Sequence, residues 1–225
     1  KRPGAQVAQL AEAFPKAGVA TGWGMTETNA LGIGMIGDDY LKRPESAGKL
    51  HPPVQELRLL DDAGNDVPLG QLGEITVKSP ANMRCYLNKP EATAETMQDG
   101  WLRTGDLGRK DVDGYLFVTG RLKELIIKGG ENIAPREIDE ALYAHADVIE
   151  AAAFARPCKT YGERVEAAVR VRAGSTLSNE VLIALCVEKL GKFKAPDRVH
   201  FLPELPKGPS GKIQRLKLLE VVDAA

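Results

Sequence analysis

Between residues 54 and 118 apolar and polar side chains alternate with a period of two, and that pattern commits this stretch to β structure. Leu57 and Leu59 alternate with Glu56 and Arg58, the turn-forming run DDAGND follows, and Ile75 and Val77 alternate within EITVK. DVDGYLFV then sets an Asp-Gly pair ahead of an apolar run, a strong hairpin signal. From Gly120 the pattern becomes α+β. LKELIIKGG reads as a strand stopped by two glycines, and Pro135 opens a helix with Ile138, Ala141, Leu142 and His145 on one face. IEAAAFA, VEAAVRVR and RVHFL read as strands. Ser178 is expected to cap the helix VLIALCVEKLGKF, and IQRLKLLEVV is the last helix. At the other end, Val7, Leu10, Ala11 and Phe14 mark one face of a helix over residues 4–16. No repeat or low-complexity linker interrupts the chain, so the domain boundary is placed at the pattern change, about residues 120–123.

The chain has 225 residues, which allows one or two domains. With 43% hydrophobic and 27% charged residues it has material for a core and is not a disordered chain. Its longest apolar run, Val181 to Val187, is far shorter than the ~20 residues a bilayer span needs. A net charge of -1 argues against a nucleic-acid coat. Cys85, Cys158 and Cys186 form no CxxC and cannot all pair, which suits a reduced, cytoplasmic compartment. The opening residues are neither an initiator Met nor a signal or transit segment, so a fragment of a longer protein is expected.

Four clusters can carry chemistry. Residues 21–28, TGWGMTET, combine glycines, a flat aromatic, hydroxyls and a carboxylate, which suits stacking a base, touching phosphate and holding Mg²⁺ through oxygen; an ordinary turn around a core tryptophan has the same composition. In WLRTGDLG, Asp106 follows a glycine at an expected strand start, where a carboxylate can accept two hydrogen bonds from a ribose diol or simply cap its own turn. GRLKELIIKGGENI offers Arg121 to phosphate and a bare Gly129-Gly130 backbone to a ligand, or is a surface strand with solvated charges. LPKGPSGKI fixes Lys212 on a rigid glycine-proline loop. Residues 189–217 hold eight Lys/Arg against Asp197 and Glu204, so the local field favours a phosphorylated ligand, a solvated basic tail being the alternative.

Residues 32–37, GIGMIG, fit the dinucleotide fingerprint G-x-G-x-x-G, but that motif needs a preceding strand and a helix opening within it. Pro44 and Gly48 are expected to break any helix there, so an NAD site is rejected. His51, His145 and His200 have no metal-ligand spacing and read as structural.

Taken in order over essentially the whole chain, the four clusters resemble the second half of the adenylate-forming (ANL) superfamily of acyl-CoA synthetases, luciferase-like enzymes and peptide-synthetase adenylation domains. GWGMTET is similar to the aromatic-Gly-x-Thr-Glu segment, with Trp23 where Tyr is usual; IIKGGENIAPREIDEAL is similar to acyl-CoA ligases. The resemblance implies an α/β and α+β chain: the end of the large AMP-binding domain (1–118, β-rich from about 50), a hinge (119–123) and the small C-terminal domain (124–225). It implies Mg-ATP and coenzyme A as cosubstrates, a small-molecule carboxylic acid activated to an acyl-adenylate, and transfer of the acyl group to CoA. Trp23 would stack on adenine, with Gly24 part of the same nucleotide-binding segment; Thr26 would contact phosphate, Glu27 would hold Mg²⁺, Asp106 would bind the ribose hydroxyls and Arg121 would contact ribose or phosphate. Lys123 would sit at the hinge, Gly129 and Gly130 would line the pantetheine path, and Lys212 would bridge carboxylate and α-phosphate. The family's Ser/Thr/Gly-rich phosphate loop is not in this sequence, so the chain alone is expected to be inactive. Asn29 to Ile33 is small and apolar enough to flank a fatty or aryl acid. A luciferase-like or carrier-protein adenylating enzyme, or a non-catalytic binding module, are the alternatives.

Overall fold

The structure is a computed structural model that describes residues 4–50 and 54–224; His51 and its neighbouring prolines lie outside them. The chain divides into two compact units, Lys1–Leu122 and Lys123–Ala225. Among the described residues no helix is long and apolar enough to cross a membrane.

The first unit runs α1 (Gly4–Ala13), β1 (Ala20–Trp23), a 3₁₀ turn at Thr26–Thr28, β2 (Ile33–Ile36) and α2 (Asp38–Lys42). Then come β3 (Glu56–Leu60), β4 (Gly73–Lys78), α3 (Pro90–Thr96), β5 (Met97–Gln98), β6 (Trp101–Lys110) and β7 (Leu116–Arg121). Helix α1 stops short of Pro15, so Phe14 leaves the apolar face assigned to it and stands exposed, while Val7 is buried. Strands β1 and β2 pair antiparallel, with Trp23 opposite Ile33. The glycines of GIGMIG serve this pairing: a Cβ on Gly32 would collide with the Trp23 carbonyl. A short helix, α2, does follow them, contrary to expectation, because Gly37 at φ +65° turns the chain before Pro44 is reached. The fingerprint still fails, since its strand lies inside the motif and pairs antiparallel.

Strands β3, β4, β6 and β5 form a sheet, with β7 beside β6. Ile75, Val77, Leu57 and Leu59 pack with Ile33 and Leu116 into the core of this unit, with part of Trp23 resting on it. Between β6 and β7 the Asp111 carboxylate accepts the amides of Asp113 and Tyr115, the side chain–backbone bonding that makes Asp a turn residue.

The second unit contains β8 (Ile126–Lys128), β9 (Glu131–Ile133), α4 (Pro135–Tyr143), β10 (Val148–Cys158), β11 (Gly162–Val171), α5 (Asn179–Leu190), β12 (Arg198–Phe201) and α6 (Leu218–Ala224). Strand β11 is central, antiparallel to β10 and β8 and parallel to β12. One apolar cluster gathers Ile138, Leu142, Leu182 and Cys186 of α4 and α5 over one face. The other face carries Phe154 and Ala168 under Leu205 and Leu218. The Ser178 hydroxyl accepts the Val181 amide at 3.5 Å as the cap of α5, which ends at Leu190 because Gly191 adopts φ +79°. His145 lies just past α4 and its Nδ1 accepts the Asp147 amide at 3.2 Å.

Candidate active site

In the first unit three of the four sequence clusters meet at Asp106. Strand β6 does not start near this residue, as expected, but runs through it. Arg103 is opposite Thr76 and Leu107 is opposite Glu74, so three residues of β6 face the single residue Ile75. Such a bulge bends a strand and re-aims a side chain. Gly105, at φ +67°, takes the left-handed position the bulge requires. The ladder bonds lost there are replaced: the Thr104 hydroxyl donates to the Ile75 carbonyl and accepts the Asp106 amide, and the Gly105 amide donates to Glu74. Glu74 is buried and held by Arg103, whose Nε is 2.8 Å from its carboxylate.

The Asp106 side chain so presented is 13% exposed and has a donor on each oxygen. Trp23 Nε1–H donates to Oδ2 at 2.7 Å, and Arg121 Nε lies 3.0 Å from Oδ1. A carboxylate offers about four lone-pair sites, so two remain for a ligand's hydroxyls. The Trp23–Asp106 bond spans 83 residues, a separation that no local sequence pattern signals.

The 3₁₀ turn that follows Trp23 carries Thr26, exposed, and Glu27, half-buried. Thr28 is buried, and its hydroxyl donates to the Met25 carbonyl to close the turn. Gly24 is needed for close approach, because a Cβ would stand 3.1 Å from the Ala30 carbonyl oxygen. Glu27 Oε1 accepts the Tyr86 hydroxyl at 2.7 Å. Burial, then the hydrogen bond and charge of Glu27, push the Tyr86 phenol above its ordinary value, so it remains a donor. Sequence reasoning missed Tyr86, which lies 59 residues from Glu27 in a loop without periodicity. Ile33, considered as an acyl-pocket residue, is instead in the core. The Glu27 carboxylate beside the Thr26 hydroxyl is a hard-oxygen set that fits Mg²⁺, which binds one or two carboxylates plus phosphate oxygens. Among the described residues no group of three or more His, Cys, Asp and Glu could hold a metal without such help.

The second unit carries the remaining candidates. Gly129 and Gly130, at φ +60° and +85°, form the two-residue connection of the β8–β9 hairpin, so their backbone conformation alone calls for glycine. Lys123 is exposed in a 3₁₀ turn at the start of the unit. Lys212 is exposed, has no ion-pair partner among the described residues, and lies on a loop closed by the Gly208 amide donating to the Lys212 carbonyl at 2.9 Å. The excess positive charge counted around it is smaller in space than in sequence. Lys194 pairs with Glu137, Lys207 with Glu150 and Glu204, and Arg215 with Asp139 and Glu124.

The family model for the AMP-binding enzyme matches residues 2–87, and that for the AMP-binding enzyme C-terminal domain matches residues 137–212. The sulfoacetate–CoA ligase of Cupriavidus necator is 48% identical over 203 residues, covering 90% of this chain and 40% of that protein. The amide bond synthetase McbA from Marinactinospora thermotolerans superposes with a TM-score of 0.90 at 34% identity, covering 98% of this chain and 44% of that one. The o-succinylbenzoate CoA synthetase MenE of Bacillus subtilis, solved with its acyl-adenylate intermediate, gives a TM-score of 0.86 at 33% identity over 96% of this chain and 43% of that one. The same synthetase has been solved with ATP and magnesium ion, with a TM-score of 0.84 at 33% identity over 94% of this chain and 44% of that one. The chain belongs to the adenylate-forming superfamily. It spans about 40% of the length of the curated relatives it matches.

Proposed function

We propose that this chain supplies the ribose- and metal-facing carboxylates and the small domain of an AMP-forming acid–CoA ligase. The observation that carries this reading is the Asp106 carboxylate, nearly buried yet keeping two lone-pair sites open beneath Trp23 and beside Arg121. In the first half-reaction a carboxylate attacks the α-phosphate of ATP, forming acyl-adenylate and releasing pyrophosphate. Asp106 accepts the ribose hydroxyls, the Trp23 ring stacks on adenine against Gly24, and Arg121 has N–H groups left for ribose or phosphate. Thr26 donates to phosphate. Glu27 would hold Mg²⁺, which would supply charge neutralisation at the phosphoryl oxygens, and Lys212 places an ammonium against the same developing negative charge. In the second half-reaction the CoA thiol attacks the acyl carbonyl and AMP leaves, with Gly129 and Gly130 along the pantetheine path and Lys123 at the hinge between domains 1–118 and 124–225.

A cytoplasmic location accompanies this reading and rests on the three free cysteines. Without a phosphate loop the 225-residue chain by itself should give no pyrophosphate exchange at the rate of a whole enzyme. For the acid, the fatty or aryl reading loses one support, because Ile33 is a core residue. A short acid with a second anionic group is the second reading, favoured by the sulfoacetate specificity in the name of the 48% identical relative.

CoA-dependent AMP release by the full-length protein, measured over a panel of fatty, aryl and sulfonated or dicarboxylic acids, tests both levels. Release with any acid supports the ligase, and the best acid selects the class. Pyrophosphate exchange without CoA-dependent release would favour a luciferase-like or carrier-protein adenylating enzyme, and neither activity would favour a non-catalytic binding module.

A further inference from the structure

The loop carrying Tyr86 is already tied to the Glu27 turn by two bonds that do not involve the phenol. The Met83 amide donates to the Glu27 carbonyl at 2.6 Å, and Asn29 Nδ2 donates to the Ala81 carbonyl at 2.7 Å. The phenol is therefore not needed to join the two segments. It is itself fixed from the other side, by helix α3. The Tyr86 amide donates to Thr93 Oγ1 at 3.0 Å, and Thr93 Oγ1 donates to the Lys89 carbonyl at 2.8 Å. Helix α3 thus holds the Tyr86 backbone, and the phenol held there meets one oxygen of one carboxylate, Glu27 Oε1.

We propose that Tyr86 is a positioning residue for Glu27, its phenol holding Oε1 so that Oε2 is the oxygen offered to a nucleotide-bound divalent cation. Pinning one oxygen removes the rotation about the terminal side-chain torsion, which is otherwise broad and roughly two-fold. Preorganised donors and acceptors avoid that ordering cost at the moment of binding. This rests on the assignment of Glu27 to the metal.

The test uses the full-length protein, Mn²⁺ as the probe and a non-hydrolysable ATP analogue, with bound Mn²⁺ read by electron paramagnetic resonance. Tyr86→Phe should weaken Mn²⁺ about five- to tenfold in the presence of the analogue and leave metal-free affinity for the analogue unchanged. Thr93→Val, which keeps the phenol but loses the hydroxyl that accepts the Tyr86 amide, should weaken Mn²⁺ about twofold and carries the test if Tyr86→Phe does not fold. Glu27→Gln is the control for the underlying assignment and should lower Mn²⁺ affinity more than either. Normal Mn²⁺ affinity in Tyr86→Phe beside a weakened Glu27→Gln would overturn the role of Tyr86 and leave Glu27 in place. Equal losses of metal-bound and metal-free nucleotide in Tyr86→Phe would mark a purely structural tyrosine and also overturn it. Unchanged Mn²⁺ in Glu27→Gln would remove the metal assignment, and the role of Tyr86 with it.

Discussion

Trp23→Phe keeps an aromatic face and deletes one N–H, so it isolates what the indole does for Asp106. The bond lost is 2.7 Å long and ends on a side chain 13% exposed, so solvent screens it little. A hydrogen bond to a charged group contributes about 1.5–3 kcal/mol. The low end applies here, because Arg121 stays on the other oxygen and Asp106 does not become an unpaired buried charge, which would cost about 3–5 kcal/mol. Chemical denaturation of the variant should therefore show a loss of about 1.5 kcal/mol. For the nucleotide, the relevant cost is re-ordering one carboxylate, about 0.5–1.5 kcal/mol. That is roughly a two- to tenfold rise in Kd for AMP. A smaller ring also stacks less well, but on any adenine nucleotide alike. Calorimetry with AMP and 2′-deoxy-AMP on the full-length protein separates the two effects. If the indole acts through Asp106, Trp23→Phe weakens AMP more than 2′-deoxy-AMP, and the difference disappears in an Asp106→Asn background. An equal loss for both nucleotides would refute the reasoning and leave Trp23 with stacking alone.

Lys212→Ala in the full-length protein should reduce pyrophosphate exchange about 100- to 1,000-fold while thioester formation from supplied acyl-adenylate survives; equal damage to both would remove its first-half-reaction role. Thiol labelling of the folded chain should modify Cys85 and Cys158 and spare Cys186, whose thiol burial pushes up to about 11. Cys158 should react ahead of an ordinary thiol, because the backbone N–H groups of Tyr161 and Thr160 lower it. Burial alone would raise the Glu166 carboxyl, yet hydrogen bonds from His200 and Arg156 hold it below its ordinary 4.5, so its stabilisation is present above that pH and lost as pH falls through the depressed value. Urea titrations across pH should show Glu166→Gln destabilised by about 3 kcal/mol at pH 7, with a flatter acid limb than the parent.

What the sequence makes readable is what neighbours along the chain decide. The Ser178 cap, the Asp111 turn and the Gly129-Gly130 hairpin each close within five residues, and each forms where the residue types require it. The bulge at Asp106 is not of that kind. It exists because β6 holds three residues against one of β4, a mismatch visible only once the strands are paired. The same holds for Trp23 with Asp106 and for Tyr86 with Glu27, 83 and 59 residues apart. The local positive field around Lys212 is weaker than the sequence count suggests for a related reason, since the carboxylates of Glu137, Glu150 and Asp139 arrive from other elements of the same unit.

The candidate groups thus divide by how they are prepared. Each candidate carboxylate of the first unit already has a donor on an oxygen: Trp23 and Arg121 on Asp106, and Tyr86 on Glu27. An acceptor held in this way has lost its rotational freedom before a ligand comes, and the remaining lone pairs face a fixed direction. Lys212 is the opposite case, an exposed ammonium with no carboxylate partner among the described residues, on a loop whose backbone is fixed by its own hydrogen bonds. A lysine is a strongly hydrated point charge on a flexible stem, and pairing it in advance with a carboxylate would spend the charge on a competitor for the ligand's phosphate. The division is the one the proposed function calls for, in which stationary acceptors would grip ribose and metal throughout and the cation would be required in only one of two half-reactions. Under the proposed function a lysine suits that place: a planar, five-donor arginine works best where its bidentate geometry is fixed, whereas a single ammonium could meet an α-phosphate and leave it again.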